Sequence, residues 1–306
     1  MNQHLKTAAV AVIATAMTAC SGVGSSLPGA PSHAVNSGSL AQAGIKPGKV
    51  ILMPTREAAR NVQPNAHLTY RNGPVQVKSR VYVIYWGFNV SGSDPAGEQT
   101  YMNAFLNGVG GSSWMNIDHQ YYEIDGGIHH KIKNAVGQLK GTWVDSTAIP
   151  TNPTDAQIQA AAARGVAHFG FKRDASYVVA TSHGHNSSGF GTQYCAYHGD
   201  FISGANDVSY TNLPYIADAG SSCGKNFINS GPAGNLDGVS IVEGHELAES
   251  QTDPQPPSGW YDSINGEIGD ICAWQIPPAG DITLSTGTFA VQGLFSNKAN
   301  KCVISG

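Results

Sequence analysis

The sequence predicts a single domain of mixed α/β class, with a central sheet, a buried helix over residues 238–252 and a β-rich C-terminal part. Three observations predict it. Arg80-Val81-Tyr82-Val83-Ile84-Tyr85-Trp86 is aromatic and β-branched and stops at Gly87, the composition of a buried strand, and Ser176-Tyr177-Val178-Val179-Ala180-Thr181 repeats the pattern. Asp94-Pro95 and Asn152-Pro153-Thr154-Asp155 are helix-opening signals between those strands. After residue 254 the chain turns to short alternating runs and turn residues, among which Thr288-Phe289-Ala290-Val291-Gln292 reads as a strand.

From the N-terminus, Lys6 and the short apolar run over residues 8–19 read as a signal peptide over 1–19, too short to span a bilayer. The run ends Met17-Thr18-Ala19-Cys20, small residues before a cysteine, which resembles a lipobox and predicts lipidation at Cys20. Ordinary cleavage after Ala19 would release a free secreted protein instead. The membrane enters only through that N-terminal lipid. Residues 20–65 are rich in Ser, Gly, Ala and Pro and predict a disordered tether or propeptide, so the folded domain is expected over 66–306. The helix after Asp94-Pro95 places Tyr101, Phe105 and Leu106 on one face. The Ala-rich body of the second helix, Ile158 to Ala167, offers little to grip a core and suits a surface position. The stretch from His183 to Asp200 is polar and glycine-rich and predicts a long loop. Asp237, or Ser240 with Glu243 as a capping box, would open the third helix, and Pro254 ends it.

Charged residues make up only 12% of the chain and glycines number 37, which suits a loop-rich extracellular fold. The net charge is −4 with no clustered basic face, which excludes a nucleic-acid footprint. No internal repeat is present, and a monomer is expected. With Cys20 set aside, Cys195, Cys223, Cys272 and Cys302 remain, an even number in an exported chain, which predicts two disulfides. Three pairings are open; Cys195–Cys223 and Cys272–Cys302, neighbours in sequence, are favoured. A four-cysteine zinc site lacks any Cys-x-x-Cys pair.

The chemistry concentrates on the third helix, at His245-Glu246-Leu247-Ala248-Glu249. Residues four apart share a helix face, so His245 and Glu249 can grip one ion, with Glu246 beside them to touch a water on it. This is the zincin arrangement with its second histidine replaced by glutamate. Charge distribution strengthens the reading. Between Lys225 and Lys298 there is no lysine or arginine, while nine acids stand there: Asp237, Glu243, Glu246, Glu249, Asp253, Asp262, Glu267, Asp270 and Asp281. Val239, Ile241, Val242, Leu247 and Ala248 imply a largely buried helix, and buried carboxylates need a partner. A divalent cation meets that need. Glu267 and Asp270, on a glycine-flanked turn next to Cys272, are the expected further ligands, ahead of Asp262 and Asp253. Histidine in the set selects zinc; the oxygen-rich remainder leaves calcium as the alternative. With zinc, Glu246 would act as general base on a metal-bound water whose pKa falls toward ~7, giving hydrolysis of a peptide or protein substrate. The opposing expectation is a non-catalytic extracellular factor with a structural ion or none, in which protein groups fill every ligand position. His183, His185 and His198 sit on the predicted loop; His183 is the candidate to steady a substrate oxyanion, and any of the three is a further possible ligand. Gly220-Ser221-Ser222-Cys223-Gly224 matches the serine-nucleophile elbow, but no strong strand precedes it and no helix follows, which argues against Ser222 as a nucleophile.

Leu68-Thr69-Tyr70-Arg71-Asn72-Gly73-Pro74, Gly111-Ser112-Ser113-Trp114 and Tyr194-Cys195-Ala196-Tyr197-His198-Gly199 resemble blocks of the plant phosphate-induced protein 1 (Exordium) family. The Gly244-His245-Glu246 and Cys272-Ala273-Trp274 stretches are similar to secreted microbial proteins described as metallopeptidases. The resemblance covers about residues 67–306 and implies export, a shared fold and the disulfides. It implies no settled chemistry, because the plant members are growth-linked extracellular proteins without an assigned reaction.

Overall fold

The computed structural model describes residues 44–63 and 65–306. The expected signal peptide, Cys20 and the arm up to residue 43 lie outside the described residues. In chain order the strands are β1 (Ile45–Pro54), β2 (Thr69–Tyr70), β3 (Arg80–Trp86), β4 (Tyr122–Asp125), β5 (Ile128–Lys131), β6 (Leu139–Asp145), β7 (Ala175–Thr181), β8 (Tyr194–Ser203), β9 (Asn206–Leu213), β10 (Trp260–Tyr261), β11 (Gly280–Leu284), β12 (Gly287–Val291), β13 (Leu294–Ser296) and β14 (Lys301–Val303). The helices are α1 (Glu98–Val109), α2 (Asp155–Phe169) and α3 (Asp237–Thr252).

Six strands form the central sheet in the order β1-β8-β9-β7-β3-β6. β6, β3, β7 and β9 are parallel, while β8 runs antiparallel to both β9 and β1, so the sheet is mixed. Alternation along the inner strands sorts two cores. Val81, Val83 and Tyr85 of β3 face α1, α3 and the C-terminal strands; Tyr82, Ile84 and Trp86 face α2. Parallel strands covered on both faces read as continuous apolar runs, which is why β3 and β7 were legible as buried strands. Four small two-stranded sheets, three of them formed wholly or partly after residue 254, complete the fold.

Several expectations need correction. Residues 45–54, assigned to the arm, form an edge strand paired with β8. Met53 is fully buried there, and backbone pairing holds a segment that composition had read as tether. α1 starts at Glu98, four residues after Asp94, whose carboxylate accepts from the Glu98 and Gln99 amides at 2.8 and 3.2 Å. α2 is not a surface helix. Its Ala156, Ile158, Ala161 and Ala162 are buried, and at Gly165 a Cβ would meet Ile84 at 2.5 Å. Small residues here let the helix lie close on the sheet. The predicted loop ends at Gln193, because Tyr194 to Asp200 lie in β8. Ser240 forms no capping box: its hydroxyl donates to Ala290 O at 2.6 Å, while Asp237 accepts from the Ile228 and Asn229 amides. Both favoured disulfides, Cys195–Cys223 and Cys272–Cys302, are formed. No described helix is long and apolar enough to cross a membrane.

If β1 belongs to the folded unit, Met53→Ala will lower stability by about 2–5 kcal/mol, as for other large-to-small core changes, in urea unfolding followed by tryptophan fluorescence. A change within about 0.5 kcal/mol would return residues 45–54 to the arm.

Candidate metal centre

α3 is buried at every one of its 16 residues, polar ones included. Its apolar residues take two sides: Val239, Ile241, Val242, Leu247 and Ala248 all sit in the core between the sheet and the C-terminal strands. The remaining sides carry Glu243, Glu246, Glu249 and His245, none more than 1% exposed. Three other segments meet them. β8 delivers His198, fully buried, since its side chain points away from Tyr197 and toward α3. The turn after β10 delivers Glu267 and Asp270. The end of β12 delivers Gln292.

The side chains assemble into two groups of histidine and carboxylate, His198-Glu246-Glu249 and His245-Glu249-Asp270, each with ligand atoms within 4.8 Å of one another. His245 Nε2 lies 3.0 Å from Glu249 Oε1 and 3.7 Å from Asp270 Oδ1. His198 Nδ1 lies 3.2 Å from Glu246 Oε2 and 3.4 Å from Glu249 Oε2, and its Nε2 is 3.6 Å from Glu267 Oε1. Among the described residues, His198 Nε2, His245 Nε2, Glu246 Oε1, Glu249 Oε2 and both Glu267 oxygens are buried without a hydrogen-bond partner. No lysine or arginine of the described residues forms an ion pair with any of them.

Gln292 fixes how His245 is presented. Its amide nitrogen donates to Gly269 O at 2.8 Å, so its carbonyl oxygen faces His245 Nδ1 at 3.3 Å. Nδ1 must then carry the proton, and in the neutral ring Nε2 offers its lone pair to Glu249 and Asp270. That lone pair faces two carboxylates, so the ring either takes a second proton at Nε2, as in the metal-free centre, or meets a cation there. A metal-ligating histidine held by an oxygen acceptor on its other nitrogen has this same geometry. Gly269 makes the fit possible: a Cβ there would stand 2.6 Å from His245 Nδ1 and 2.9 Å from Glu249 Oε1.

Electrostatics of the metal-free centre shows the shortage of positive charge. Burial and then repulsion from Glu249 push Asp270 up to about 8. Burial also raises Glu267, Glu246 and Glu243, and lifts Asp253 to about 6. Burial disfavours ionised Glu249 too, but the charge of His245 and bonds to both histidines bring it down to about 2. Burial works against charged His245, yet Glu249 first and Glu246 and Asp270 after it raise it to about 9. Two histidines cannot compensate this many enclosed carboxylates.

The predicted site residues divide. His245, Glu249 and Asp270 come together; Glu267 joins at His198 and not at His245. Glu246 faces His198. His183 stands apart, half-exposed and bonded through Nδ1 to Asp218, with Tyr215 against its ring. Asp262 anchors its own turn by accepting from the His67, Ile264 and Asn265 amides. Ser222 lies in a 3₁₀ segment (Ile216–Cys223), without the strand–turn–helix setting of a nucleophile. Sequence reasoning left His198 among loop histidines, although Tyr194 and Tyr197 beside it have the aromatic character of a strand. Gln292 carried no signal of its own.

The chain is similar to a plant Exordium-like protein. Protein EXORDIUM-like 5 of Arabidopsis thaliana is 26% identical over 240 residues, 67% of this chain and 64% of that protein. This chain therefore spans less than two thirds of the relative's length. No family model and no solved structure matches. The likeness supports the Exordium-like resemblance over most of the described fold, and that name carries no statement about catalysis.

Filling the space at Gly269 should disturb the centre more than the surface around it. Gly269→Ala is expected to cost about 1–3 kcal/mol through overpacking against His245, measured by chemical unfolding, and to weaken cation retention on dialysis. Unchanged stability and retention would show that the ring does not rest on that backbone.

Proposed function

We propose that this is an exported, disulfide-stapled protein of the extracellular space or cell surface, whose buried His245-Glu249-Asp270 centre holds a divalent cation, zinc before calcium, in a structural role. The observation that carries the reading is the Gln292-oriented His245, with its Nε2 turned to two carboxylates and no lysine or arginine of the described residues paired with them. Imidazole in the set favours zinc over calcium. Enclosure of His245, Glu246 and Glu249 favours a structural ion, because a hydrolase must admit a substrate to the metal; the three ligands His245, Glu249 and Asp270 are one fewer than a closed zinc site takes. Two disulfides agree with an oxidising compartment, and cleavage or lipidation near Cys20 would set whether the protein is released or anchored.

A second reading keeps the zincin-like role of α3: a zinc metallopeptidase with Glu246 as general base, in line with the microbial resemblance. Its specific support is Glu246 Oε1, buried and partnerless, together with Asp270, whose side chain is 15% exposed and marks the one edge of the group near solvent. A peptide or protein chain would be its substrate.

The deciding measurement is metal content by mass spectrometry on protein purified without a metal-affinity tag, wild type beside Glu249→Ala, joined to a peptide-library screen. Bound zinc in the wild type, lost in Glu249→Ala, with a lowered melting temperature after chelation and no cleavage of any peptide, is the expected result. Cleavage that disappears in Glu246→Gln would replace the structural reading with the peptidase. Absence of any bound ion in the wild type would overturn both.

A further inference from the structure

We propose that the centre holds two divalent cations bridged by Glu249, the second bound by His198, Glu246 and Glu249. The proposal rests on the cation-binding reading above and extends it to a second ion.

The Glu249 carboxylate spans the two groups. Oε1 faces His245 and Oε2 faces His198, so one carboxylate offers one oxygen to each ion. Spacing agrees with coordination. Two ligands on a tetrahedral ion with bonds of about 2.0–2.2 Å stand about 3.3–3.6 Å apart. The observed separations are 3.2 and 3.4 Å at His198 and 3.0 and 3.7 Å at His245. The longer two exceed ordinary hydrogen-bond length, and Nε2 of His245 makes no aligned hydrogen bond to either oxygen.

The two rings are held differently: Gln292 Oε1 stands behind His245 at 3.3 Å, whereas His198 Nδ1 bonds Glu246 Oε2 at 3.2 Å and its Nε2 stands 3.6 Å from Glu267 Oε1, too far for a hydrogen bond. Glu267 is fully enclosed with both oxygens unpartnered, and His198 is the one histidine within its reach. The number of acids points the same way: with both histidines neutral, as ligation requires, Glu246, Glu249, Glu267 and Asp270 face them and Glu243 and Asp253 are enclosed beside them, more carboxylates than one divalent ion offsets. A carboxylate bridge between ions about 3.5–4 Å apart is the usual two-metal spacing.

The test uses the full mature chain. Native mass spectrometry of zinc-loaded wild type should show a pair of ions per chain, His198→Ala should retain one, and Glu249→Ala should lose both. In parallel, cobalt(II)-loaded wild type should give an electron paramagnetic resonance signal attenuated by coupling through the bridge, and His198→Ala should restore an uncoupled signal. A single ion in the wild type, with an uncoupled cobalt signal, overturns the second site and leaves the structural-cation reading standing. No ion at all overturns that reading itself. If His198→Ala fails to fold, the wild-type stoichiometry and cobalt coupling still decide.

Discussion

A helix enclosed on every side must satisfy what it carries, and α3 carries three glutamates and a histidine. Its backbone is satisfied internally, as in any helix, but its side chains are not. Taking a carboxylate out of water without a partner costs several kcal/mol even after relaxation. The arrangement around α3 follows from that cost. β8 turns His198 inward, the 266–272 turn brings Asp270 and Gly269 against His245 and Glu267 toward His198, and Gln292 fixes the tautomer of the His245 ring. Each of these features makes sense as an answer to the buried charge on α3, and none would be needed if α3 were an ordinary apolar helix.

The two disulfides sit where this centre is exposed to loss of order. Cys195 stands three residues before His198 and pairs with Cys223 in the segment leading to α3. Cys272 stands two residues after Asp270 and pairs with Cys302 on the last strand. Each bridge ties a ligand-bearing segment to a distant part of the chain. Closing loops of this size removes about 3 kcal/mol of unfolded-chain entropy in the simplest account. The segments that carry His198 and Asp270 are therefore held in register by covalent bonds as well as by packing.

The second face of the sheet shows a different economy. α2 packs through alanines and Gly165 against Ile84 and Tyr177, so close approach replaces bulk. Its core holds Asp155 among Tyr197, Tyr210 and Gln159, each within hydrogen-bond distance, so that buried acid is satisfied by neutral donors and needs no ion. The contrast with the α3 side is instructive. Where donors surround a buried acid, the fold is self-sufficient; where other acids surround it, the charge must be removed by a proton or offset by a cation.

The local content of the chain was legible because it is written in neighbours. Continuous β-branched runs mark β3 and β7, Asn152-Pro153-Thr154-Asp155 opens α2, His245 and Glu249 share a helix face by their spacing, and cysteines neighbouring in sequence pair. What depends on distant residues was not legible. Residues 45–54 have the composition of an arm and become a strand only because β8 offers its edge. His198 sits among polar glycine-rich sequence and becomes a central group only because α3 lies over that strand. Gln292 and the choice of Asp270 over Glu267 at His245 come from segments more than 20 residues from their partners. Sequence by itself determined that an acid-rich helix with His245 and Glu249 on one face would be buried; only the tertiary structure decided which histidines and carboxylates meet there, because that geometry is set by packing between segments and not by spacing along one.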